Sequence, residues 1–332
     1  MYDIAIVSGD GIGLEVMEAT EFLLDKLDFN YNAEYGEAGF ECFKKNDITL
    51  PEETVKLAKS SDAVLFGATT STPNQPSPII NLRKELDVYA NLRPIKSYKG
   101  VKSVAEDIDF IIVRENTEGL YSQKEYCENE KIISERVITR EASEKISDMA
   151  FKLAEKRKKL NKVTCVHKSN VLKKTDGVFK ESFYKISEKH PQIKTEDLYV
   201  DATAMYLITN PLDFDVIVST NLFGDILSDE SAGLVGGLGL APSGNIGDKY
   251  GLFEPVHGSA PDISGKNIAN PCSMILSATM MLDYLGEKET AHEIKNAVRQ
   301  VVEKGKVLTP DLGGNAKTME MTEEIIKELT KC

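Results

Sequence analysis

Stretches typical of buried strands alternate with helical stretches along the chain, and this alternation constrains the fold more than any other feature of the sequence. Strand patterns occur at DIAIV (3–7), AVLFGATT (63–70), DFIIVR (109–114), KVTCVHK (162–168) and DVIVST (215–220). Strands that are connected through helices usually lie parallel in a sheet. The sequence therefore predicts an α/β protein with much parallel sheet.

Helical periodicity fills the intervals between these strands. We predict helices over about 14–26, 51–59, 79–87, 141–160, 171–190 with a kink near Gly177, and 271–285, followed by a last helix pair joined by TPDLGGNAKT. The polar, alternating stretch at about 116–140 predicts a projecting hairpin or arm. Residues 233–261 contain eight glycines, which predicts irregular backbone over most of that stretch.

The strand DVIVST leads into a helical pattern that carries Asp225 and Asp229. Residues at i and i+4 share one face of a helix, so these carboxylates repel each other unless a cation lies between them. Hard cations such as Mg²⁺ and Mn²⁺ suit carboxylate oxygens, and Mg²⁺ usually takes one or two carboxylates plus water and substrate. The alternative is a solvated acidic helix start, because aspartate is also favoured at helix N-termini.

Composition argues against several classes of function. The net charge of −13 over 332 residues opposes binding to nucleic acid or an anionic membrane, so an anionic substrate needs a local cluster of arginine and lysine. The five cysteines show no CxxC spacing, which predicts neither disulfides nor a thiolate zinc site. No apolar run reaches membrane-spanning length, and the N-terminus opens with a strand pattern. We therefore expect a cytoplasmic protein without a membrane or nucleic-acid partner.

The turn SGDGIG after the first strand invites comparison with the dinucleotide-binding fingerprint GxGxxG. Its glycines, Gly9, Gly11 and Gly13, read GxGxG, and Leu14 occupies the position of the third glycine of that fingerprint. A Rossmann fold is therefore not predicted.

The chain carries, in order, the motifs GDGIG, LRKELDVYANLRP, RENTEGLY, HKSNVL, NLFGDILSD and EPVHGSAPDISGKNIANP. Together, from about residue 4 to residue 315, they resemble the β-decarboxylating dehydrogenases, which comprise 3-isopropylmalate, isocitrate, homoisocitrate and tartrate dehydrogenases. Within that family the chain looks most like archaeal isopropylmalate and isohomocitrate dehydrogenases.

The resemblance implies a two-domain α/β fold of the isocitrate/isopropylmalate dehydrogenase type, with mixed sheets flanked by helices. Residues 1–88 and 236–332 would form a large domain with most of the cofactor site. Residues 89–235 would form a small domain with the metal site, the arm and the dimer interface. The expected assembly is a homodimer, or a higher even oligomer, in which two subunits share each active site.

Three arginines match the family's clamp for substrate carboxylates, namely Arg83, Arg93 and Arg114. A guanidinium fork suits bidentate carboxylate recognition and keeps its charge at any working pH. The alternative for Arg83 is an i,i+4 ion pair with Asp87.

The resemblance also implies the metal ligands and the catalytic groups. Asp201, Asp225 and Asp229 match the ligands of a Mg²⁺ or Mn²⁺ ion, which acts on the C2 oxygen as a Lewis acid. Lys168 matches the residue that assists deprotonation of the C2 hydroxyl, and Tyr121 matches the acid that protonates C3. In this family the equivalents of Lys168 and Asp201 reach the site from the second subunit.

The residues that match cofactor contacts in the family are Asn170, Glu254, His257, Gly258, Ser259, Ala260, Asp262 and Asn270. A carboxylate at Asp262 accepts hydrogen bonds from both hydroxyls of the adenosine ribose and repels a 2′-phosphate. NADP-dependent members carry Lys and then Tyr where this chain has Asp262 and Ile263. The expected cofactor is therefore NAD.

In this family, the loop before the residue that matches Arg83 contacts the substituent on C3 of the malate and so determines substrate specificity. Isopropylmalate enzymes typically have Glu where this chain has Pro76, and a leucine pair where it has Ile79 and Ile80. Ser77 stands where isocitrate enzymes place a serine that meets the distal carboxylate. We rank a homoisocitrate or isohomocitrate type of substrate first, 3-isopropylmalate nearly level with it, and isocitrate third.

Two readings without this chemistry remain. One is a catalytically silent regulatory subunit of an isocitrate dehydrogenase, and the other is a module that binds a nucleotide or an anion. Retention of Tyr121 and Lys168 beside three aspartates disfavours both. The expected partner is therefore a small-molecule dicarboxylate or tricarboxylate substrate.

Overall fold

A computed structural model describes residues 1–330 of the chain, which divide into two units. The first unit contains Met1–Asp87, Tyr98–Glu106 and the described residues from Val235 onward. The second unit contains Val88–Ser97 and Asp107–Leu234. Within residues 1–330, no helix is long and apolar enough to cross a membrane.

Strands and helices alternate through both units. The strands are β1 (Tyr2–Gly9), β2 (Tyr31–Tyr35), β3 (Ala63–Ala68), β4 (Ala90–Lys96), β5 (Asp109–Glu115), β6 (Glu125–Glu128), β7 (Lys131–Ser134), β8 (Lys162–His167), β9 (Lys194–Tyr199), β10 (Val216–Ser219), β11 (Pro242–Ile246) and β12 (Gly251–Pro255). The helices are α1 (Ile12–Leu24), α2 (Phe40–Asn46), α3 (Glu52–Ser60), α4 (Pro78–Glu85), α5 (Arg140–Arg157), α6 (Thr175–Ser187), α7 (Val200–Thr209), α8 (Asn221–Leu234), α9 (Cys272–Leu285), α10 (Lys288–Lys304) and α11 (Thr318–Leu329). The α/β class predicted from the sequence is confirmed.

The first unit is built on strands in the order β2-β1-β3-β12-β11, in which β11 runs antiparallel to β12 and the other pairs are parallel. Helix α9 is buried along most of its length among these strands and the helices α1 and α10. Its small polar residues fit there because their hydroxyls are satisfied by main-chain carbonyls: Ser277 donates to the carbonyl of Glu254 (2.8 Å), and Ser273 to that of Ala241. The unit thus has one apolar core centred on α9.

The second unit has strands in the order β4-β5-β10-β8-β9, in which β4 is antiparallel to β5 and the other pairs are parallel. Helices α5 and α6 pack on these strands, and Phe151 of α5 stacks on Phe183 of α6 with 5.2 Å between ring centroids. Helix α5 starts where the Thr139 hydroxyl accepts the N–H of Ala142 (3.2 Å), an ordinary N-cap.

The predicted arm is a hairpin of β6 and β7, whose residues are mostly exposed. Its turn residues Asn129 and Glu130 both have positive φ, 46° and 64°. Two consecutive positive φ values are typical of the type I′ turns that match the twist of a two-residue hairpin.

Some predicted boundaries are wrong. Helix α6 starts at Thr175, because the chain from Lys168 first makes tight turns in which the Lys168 carbonyl accepts the N–H groups of Val171 and Leu172. The helix then runs through Gly177 without the predicted kink. Helix α5 ends at Arg157, because Lys158 turns left-handed (φ 51°).

The glycine-rich stretch contains the strands β11 and β12, which the sequence did not predict. Glycine is accommodated in these strands because the ring of Phe253 lies over it: a Cβ on Gly244 would stand 3.1 Å from that ring, and one on Gly251 only 2.9 Å.

Candidate active site

Five of the predicted site residues form one cluster in the second unit. Asp225 and Asp229 lie one turn apart on α8, as the sequence predicts, and both reach Arg93 of β4, at 3.2 Å and 3.0 Å. Arg114 at the end of β5 forms an ion pair with Asp225, and the Tyr121 hydroxyl donates a hydrogen bond to the same carboxylate. Two cations, two anions and a phenol therefore share one small region.

The close approach of α8 to β5 depends on Gly224. A Cβ at this position would lie 2.9 Å from Cβ and Cγ of Arg114. Glycine at this point of the helix lets Arg114 pass beneath it, and the Arg114 side chain is 1% exposed. Gly224, the glycine of NLFGDILSD, is therefore needed for packing, although glycine lowers helix propensity.

Neutral side chains fix the planes of the two guanidinium groups. Arg93 donates from Nε to the Asn91 amide oxygen (2.7 Å) and from an NH group to the Ser228 hydroxyl (2.6 Å). Arg114 donates twice to the Asn221 amide oxygen, at 3.1 and 2.7 Å. Sequence reasoning missed these residues, although Asn91 at i−2 shares a strand face with Arg93 and offers a weak signal.

Burial sets the electrostatics of the cluster. It raises the pKa of Asp229; Arg93 counteracts part of this rise and Asp225 adds to it. Burial also raises the pKa of Tyr121, Arg114 opposes that rise, and the hydrogen bond to Asp225 strengthens it. Arg114 lies 4.9 Å from the centre of the Tyr121 ring, close enough for a cation–π contact.

The paired carboxylates fit a hard divalent cation in their donor chemistry. The side chains of Asp225 and Asp229 are 29% and 55% exposed, so water or substrate oxygens can reach them. Within the described residues, no group of three His, Cys, Asp or Glu side chains is arranged to hold a metal ion. Asp201 therefore does not complete the set with Asp225 and Asp229 inside one chain.

Lys168 and Asp201 form a separate pair in the second unit. The Lys168 ammonium, just after β8, lies 2.5 Å from the carboxylate of Asp201 in the first turn of α7. The Asp201 side chain is 68% exposed, and Asn170 in the turn after Lys168 is also exposed. The structure thus brings these two predicted residues together on the surface of the chain.

Arg83 in the first unit forms a buried ion pair with Glu254. Its guanidinium lies 2.5 Å from the Glu254 carboxylate, and each side chain is 9% exposed. Asn245 donates to the same carboxylate oxygen (2.7 Å). Glu254, which the family resemblance assigns to the cofactor, thus engages the predicted substrate arginine, and Asn245 is a buried partner that sequence reasoning missed.

The residues predicted to read the C3 substituent surround the start of α4. Ser77 is the N-cap residue of this helix, but its hydroxyl makes no capping hydrogen bond, and Pro78 fills the first turn. Ile79 and Ile80 are half-buried, and Thr49 donates to the Pro76 carbonyl (2.9 Å). The two isoleucines and the Ser77 hydroxyl therefore remain available to a ligand.

The loop after β12 carries most of the predicted cofactor residues. Ser259 joins it to the GDGIG turn, since its carbonyl accepts the N–H of Ile12 (2.8 Å). The Ser259 hydroxyl also accepts a hydrogen bond from the Thr70 hydroxyl, which follows β3 (2.8 Å). A Cβ on Gly11 would stand 2.1 Å from the Ser259 carbonyl oxygen, so this contact requires glycine. The GDGIG motif therefore supports this loop by close backbone packing.

His257 in that loop has an unsatisfied buried atom. Its Nδ1 lies 3.0 Å from the Gly258 carbonyl, whereas its buried Nε2 has no partner among the described residues. Burial lowers the pKa of His257. An unpaired buried nitrogen is costly, which fits a ligand contact at this position. Gly258 and Asp262 are exposed, and Ala260 has a φ of 37°. The Asn270 side chain is already engaged, since its amide oxygen accepts the N–H of Cys272, the first residue of α9 (3.0 Å).

Comparison with known proteins identifies the family of the chain. The family model described as isocitrate/isopropylmalate dehydrogenase matches residues 3–325. The 3-isopropylmalate/3-methylmalate dehydrogenase of Methanocaldococcus jannaschii is 56% identical over 99% of both chains, and the homoisocitrate dehydrogenase of the same organism is 50% identical over 100% of this chain and 99% of its own. The 3-isopropylmalate dehydrogenase of Methanothermobacter thermautotrophicus is 54% identical over 98% of both chains.

A solved structure agrees as well. The isocitrate dehydrogenase from Methylococcus capsulatus superposes with a TM-score of 0.95 at 40% identity and 99% coverage of both chains. Fold and sequence relatives together define an oxidoreductase of the β-decarboxylating dehydrogenase class. The chain belongs to the isocitrate/isopropylmalate dehydrogenase family.

Proposed function

We propose that this protein catalyses the NAD-dependent and divalent-metal-dependent oxidative decarboxylation of a 3-substituted malate, with 3-isopropylmalate as its preferred substrate. The observation that carries the proposal is the cluster in which Arg93, Arg114 and Tyr121 meet the paired carboxylates Asp225 and Asp229. The reaction needs cations for the β-carboxylate, ligands for a Lewis acid, and a proton donor for the enolate carbon. The cluster supplies side chains for each of these needs.

The arginines bind the substrate by exchange of partners. Arg93 is paired with Asp229 and Arg83 with Glu254. A substrate carboxylate then replaces a carboxylate of the protein, so that no buried guanidinium has to be left unpaired. Asn91 and Asn221 keep the forks oriented for bidentate binding during this exchange.

Asp225 and Asp229 would hold Mg²⁺ or Mn²⁺ together with Asp201 of a second copy of the chain. When bound, the cation supplies Lewis acidity to the C2 oxygen. The support within this chain is the matched hard-oxygen donor set on one face of α8 and its exposure to substrate.

Lys168 of the second copy, in its neutral amine form, accepts the proton of the C2 hydroxyl, and NAD bound to the first unit would take up the hydride from C2. The 2-oxo acid then loses CO₂, and the electron pair of the broken C–C bond remains on the enolate. Tyr121 donates its phenolic proton to C3 of this enolate. The raised pKa of Tyr121 keeps the phenol protonated at neutral pH, as a proton donor requires.

NAD fits the first unit because of His257 and Asp262. The unpaired buried Nε2 of His257 offers a hydrogen bond to the adenine side of a dinucleotide. Asp262 is exposed, and a carboxylate at this position favours ribose hydroxyls over a 2′-phosphate.

A homodimer is supported by an apolar surface on the second unit. Met205 and Ile208 of α7, Leu212 after it and Ile226 of α8 are 51% to 56% exposed. Large apolar side chains grouped in this way mark an interaction surface. Lys168 and Asp201 belong to the same region of the chain, and they need a second copy to reach a cluster that they do not complete within their own chain.

The preference for 3-isopropylmalate reverses the order of substrates that we infer from the sequence. It is supported by the names of the two relatives at 56% and 54% identity and by the half-buried pair Ile79 and Ile80, which suits an isopropyl group. Homoisocitrate is the second candidate. The free Ser77 hydroxyl and the 50% identity to a homoisocitrate dehydrogenase favour it.

The test is an NADH assay with Mg²⁺ or Mn²⁺ and 3-isopropylmalate, homoisocitrate or isocitrate. We expect the highest kcat/KM with 3-isopropylmalate, no turnover after chelation of the metal, and no turnover by Asp225→Asn. The matched control is Asp213→Asn, which removes an exposed carboxylate before β10 and leaves turnover intact. A higher kcat/KM for homoisocitrate would overturn the substrate, and no NADH from any of the three would overturn the reaction.

A further inference from the structure

We propose that two carboxylates behind Lys168, the fully buried Asp176 and the partly buried Asp197, hold this lysine in its working position, and that Asp197 does so through His167. The inference rests on the proposed role of Lys168 as proton acceptor. None of these three residues touches a reacting atom, so all three are positioning residues. They fix the backbone on both sides of a long side chain that otherwise has many rotamers.

Asp176 anchors the backbone at Lys168 directly. Its fully buried carboxylate accepts the Lys168 N–H at 2.6 Å with one oxygen and forms an ion pair with Arg136 through the other. Arg136 in turn donates to the hydroxyls of Thr175 (2.9 Å) and Thr220 (3.0 Å). The N–H of Lys168 is thus tied to the residue that precedes α8, the helix that carries Asp225.

His167 links Asp197 to the other side of Lys168. Its ring is fully buried at the end of β8, and Nδ1 accepts the N–H of Ser169 at 3.2 Å. The ring proton therefore lies on Nε2, which donates to Asp197 at 2.9 Å. The imidazole thereby bridges a carboxylate on β9 to the residue just after Lys168.

Three hydrogen-bond donors hold the Asp197 carboxylate in place. Lys180 lies 2.7 Å from one oxygen, which also accepts from His167, and the Tyr184 hydroxyl lies 2.5 Å from the other. Burial opposes its ionisation, but the hydrogen bonds from Lys180, Tyr184 and His167 prevail and lower the pKa of Asp197 to about 2. The carboxylate is therefore charged at every working pH and orients the imidazole.

Carboxylates that are removed from solvent behind Lys168 carry a desolvation cost. Buried ion pairs contribute little net stability, because desolvation offsets most of their attraction. The fully buried Asp176 and the partly buried Asp197 converge on the three residues from His167 to Ser169. Positioning of the Lys168 side chain, whose terminal nitrogen lies 2.5 Å from Asp201, accounts for this convergence.

The test is a double-mutant cycle measured on the full-length enzyme with NAD, metal and its best substrate. We expect Asp197→Asn and Asp176→Asn each to lower kcat about tenfold and to change KM for the hydroxy acid less than about twofold. In the Lys168→Ala background the same substitutions should change the residual kcat less than about twofold, because their effect passes through the lysine. A full tenfold loss in that background would overturn the proposal.

Asp215→Asn is the matched control. Asp215 is a fully buried carboxylate of the same unit, paired with Arg157 at 2.9 Å and with the N–H of Leu160, and it contacts neither Lys168 nor its neighbours. The control should lower Tm and leave kcat unchanged. If Asp176→Asn fails to fold, Asp197→Asn decides the outcome alone, and thermal denaturation shows which case holds.

A readout without turnover separates this proposal from the proposed function. Acetic anhydride labelling followed by mass spectrometry reports how accessible each lysine is. We expect Asp197→Asn to raise the labelling rate of Lys168 at least about threefold, because the ammonium loses its fixed contact with Asp201, and to leave that of exposed Lys131 unchanged. Unchanged labelling of Lys168 would overturn the positioning role even in an enzyme that turns over no tested substrate.

Discussion

The three arginines of the candidate site are each paired with a carboxylate of the protein. Arg83, Arg93 and Arg114 are each less than a tenth exposed, and each has a carboxylate partner within its own unit. Removal of one partner from a buried pair commonly costs about 3–5 kcal/mol, because a charge is left uncompensated. Recognition of a dicarboxylate therefore depends on the substrate offering the arginines as good a partner as the one it replaces.

Ser77 tests how the enzyme distinguishes a distal carboxylate from an alkyl group. One neutral hydrogen bond is worth about 0.5–1.5 kcal/mol, or roughly two- to tenfold in kcat/KM. Ser77→Ala should lower kcat/KM for homoisocitrate by this factor and leave that for 3-isopropylmalate nearly unchanged, since only homoisocitrate has a carboxylate for the hydroxyl to meet. Steady-state kinetics on both substrates checks this, and equal losses would remove Ser77 from substrate recognition.

Asp262 tests the choice of cofactor. Asp262→Lys combined with Ile263→Tyr replaces a carboxylate that repels a 2′-phosphate by a cation that attracts it. The ratio of kcat/KM for NADP to that for NAD should rise at least about tenfold. Asp248→Lys, the same change of charge in the turn between β11 and β12, is the control and should leave the ratio unchanged. An unaltered NAD preference in the double variant would show that Asp262 does not read the ribose.

The site residues divide into those that motifs reveal and those that only the fold reveals. The three arginines and the two α8 carboxylates stand in recognisable motifs, and the fold brings Arg93, Arg114, Asp225 and Asp229 together. Asn221, Ser228 and Asn245 are ordinary polar residues in the sequence. Asn221 and Ser228 contact guanidinium groups that lie 107 and 135 positions away in the sequence, and Asn245 contacts a carboxylate 9 positions away. Their roles come from burial in the fold, and a pattern along the chain does not show such contacts.

At the scale of elements, α8 is the part of the chain on which the cluster depends. One face carries Asp225 and Asp229, and a glycine on the adjoining face allows contact with β5. The passage from strand to helix could be predicted because β10 begins with three apolar β-branched residues and α8 keeps a helical period. Strands β11 and β12 could not be predicted in the same way. Their glycines are accommodated by the Phe253 ring that lies over them, and this contact appears only in the fold.

Gly224 and Gly233 offer a matched pair on this helix. A methyl group on Gly224 overlaps Arg114, whereas nothing lies within 4 Å of a Cβ on Gly233. Gly224→Ala should destabilise the protein by about 1–3 kcal/mol through overpacking and lower kcat by displacing the carboxylates. Gly233→Ala should stabilise it by about 0.5–1 kcal/mol through helix propensity. Denaturant unfolding and kcat check both variants; equal effects would refute the packing role of Gly224.

Glu118, in the segment between β5 and the arm, links stability to pH. Burial raises its pKa to about 7, the hydrogen bond from the Thr139 N–H opposes the rise, and Glu115 adds to it. Between pH 4.5, the ordinary pKa, and about pH 7 the folded state binds more protons than the unfolded state. Stability is therefore fully present below this window, falls as pH rises through it, and stays constant above it.

Glu118→Gln should remove this pH dependence while its amide oxygen still accepts the Thr139 N–H. Relative to the wild type, the variant should gain unfolding free energy between pH 4.5 and pH 7. Glu135→Gln makes the same change at an exposed position and should follow the wild type at each pH. Denaturant unfolding at several pH values provides the measurement, and parallel curves for Glu118→Gln and the wild type would contradict the assignment.

At the scale of the whole molecule, the predicted catalytic residues belong to two separate sets of contacts within the second unit. Tyr121 contacts the α8 carboxylates, whereas Lys168 pairs with Asp201 near the exposed apolar surface of α7. A C₂ dimer places the same surface of each copy against the other and can complete two sites at once. The sequence supplied this expectation through the family resemblance. Within the described residues, no three His, Cys, Asp or Glu side chains form a metal group.

Subunit mixing gives the sharpest test of a shared site. Tyr121→Phe and Lys168→Ala should each be nearly inactive alone, since one removes the donor to C3 and the other the acceptor of the hydroxyl proton. In a hybrid purified through two different tags, one site receives both mutations and the other receives neither. The hybrid should therefore regain about half of the wild-type kcat per dimer if each site draws Tyr121 from one copy and Lys168 from the other. Ile208→Asp in both chains, which puts a charge on the exposed surface of α7, should abolish the recovery. A purified hybrid as inactive as its parents would mean that both residues serve the site of their own chain.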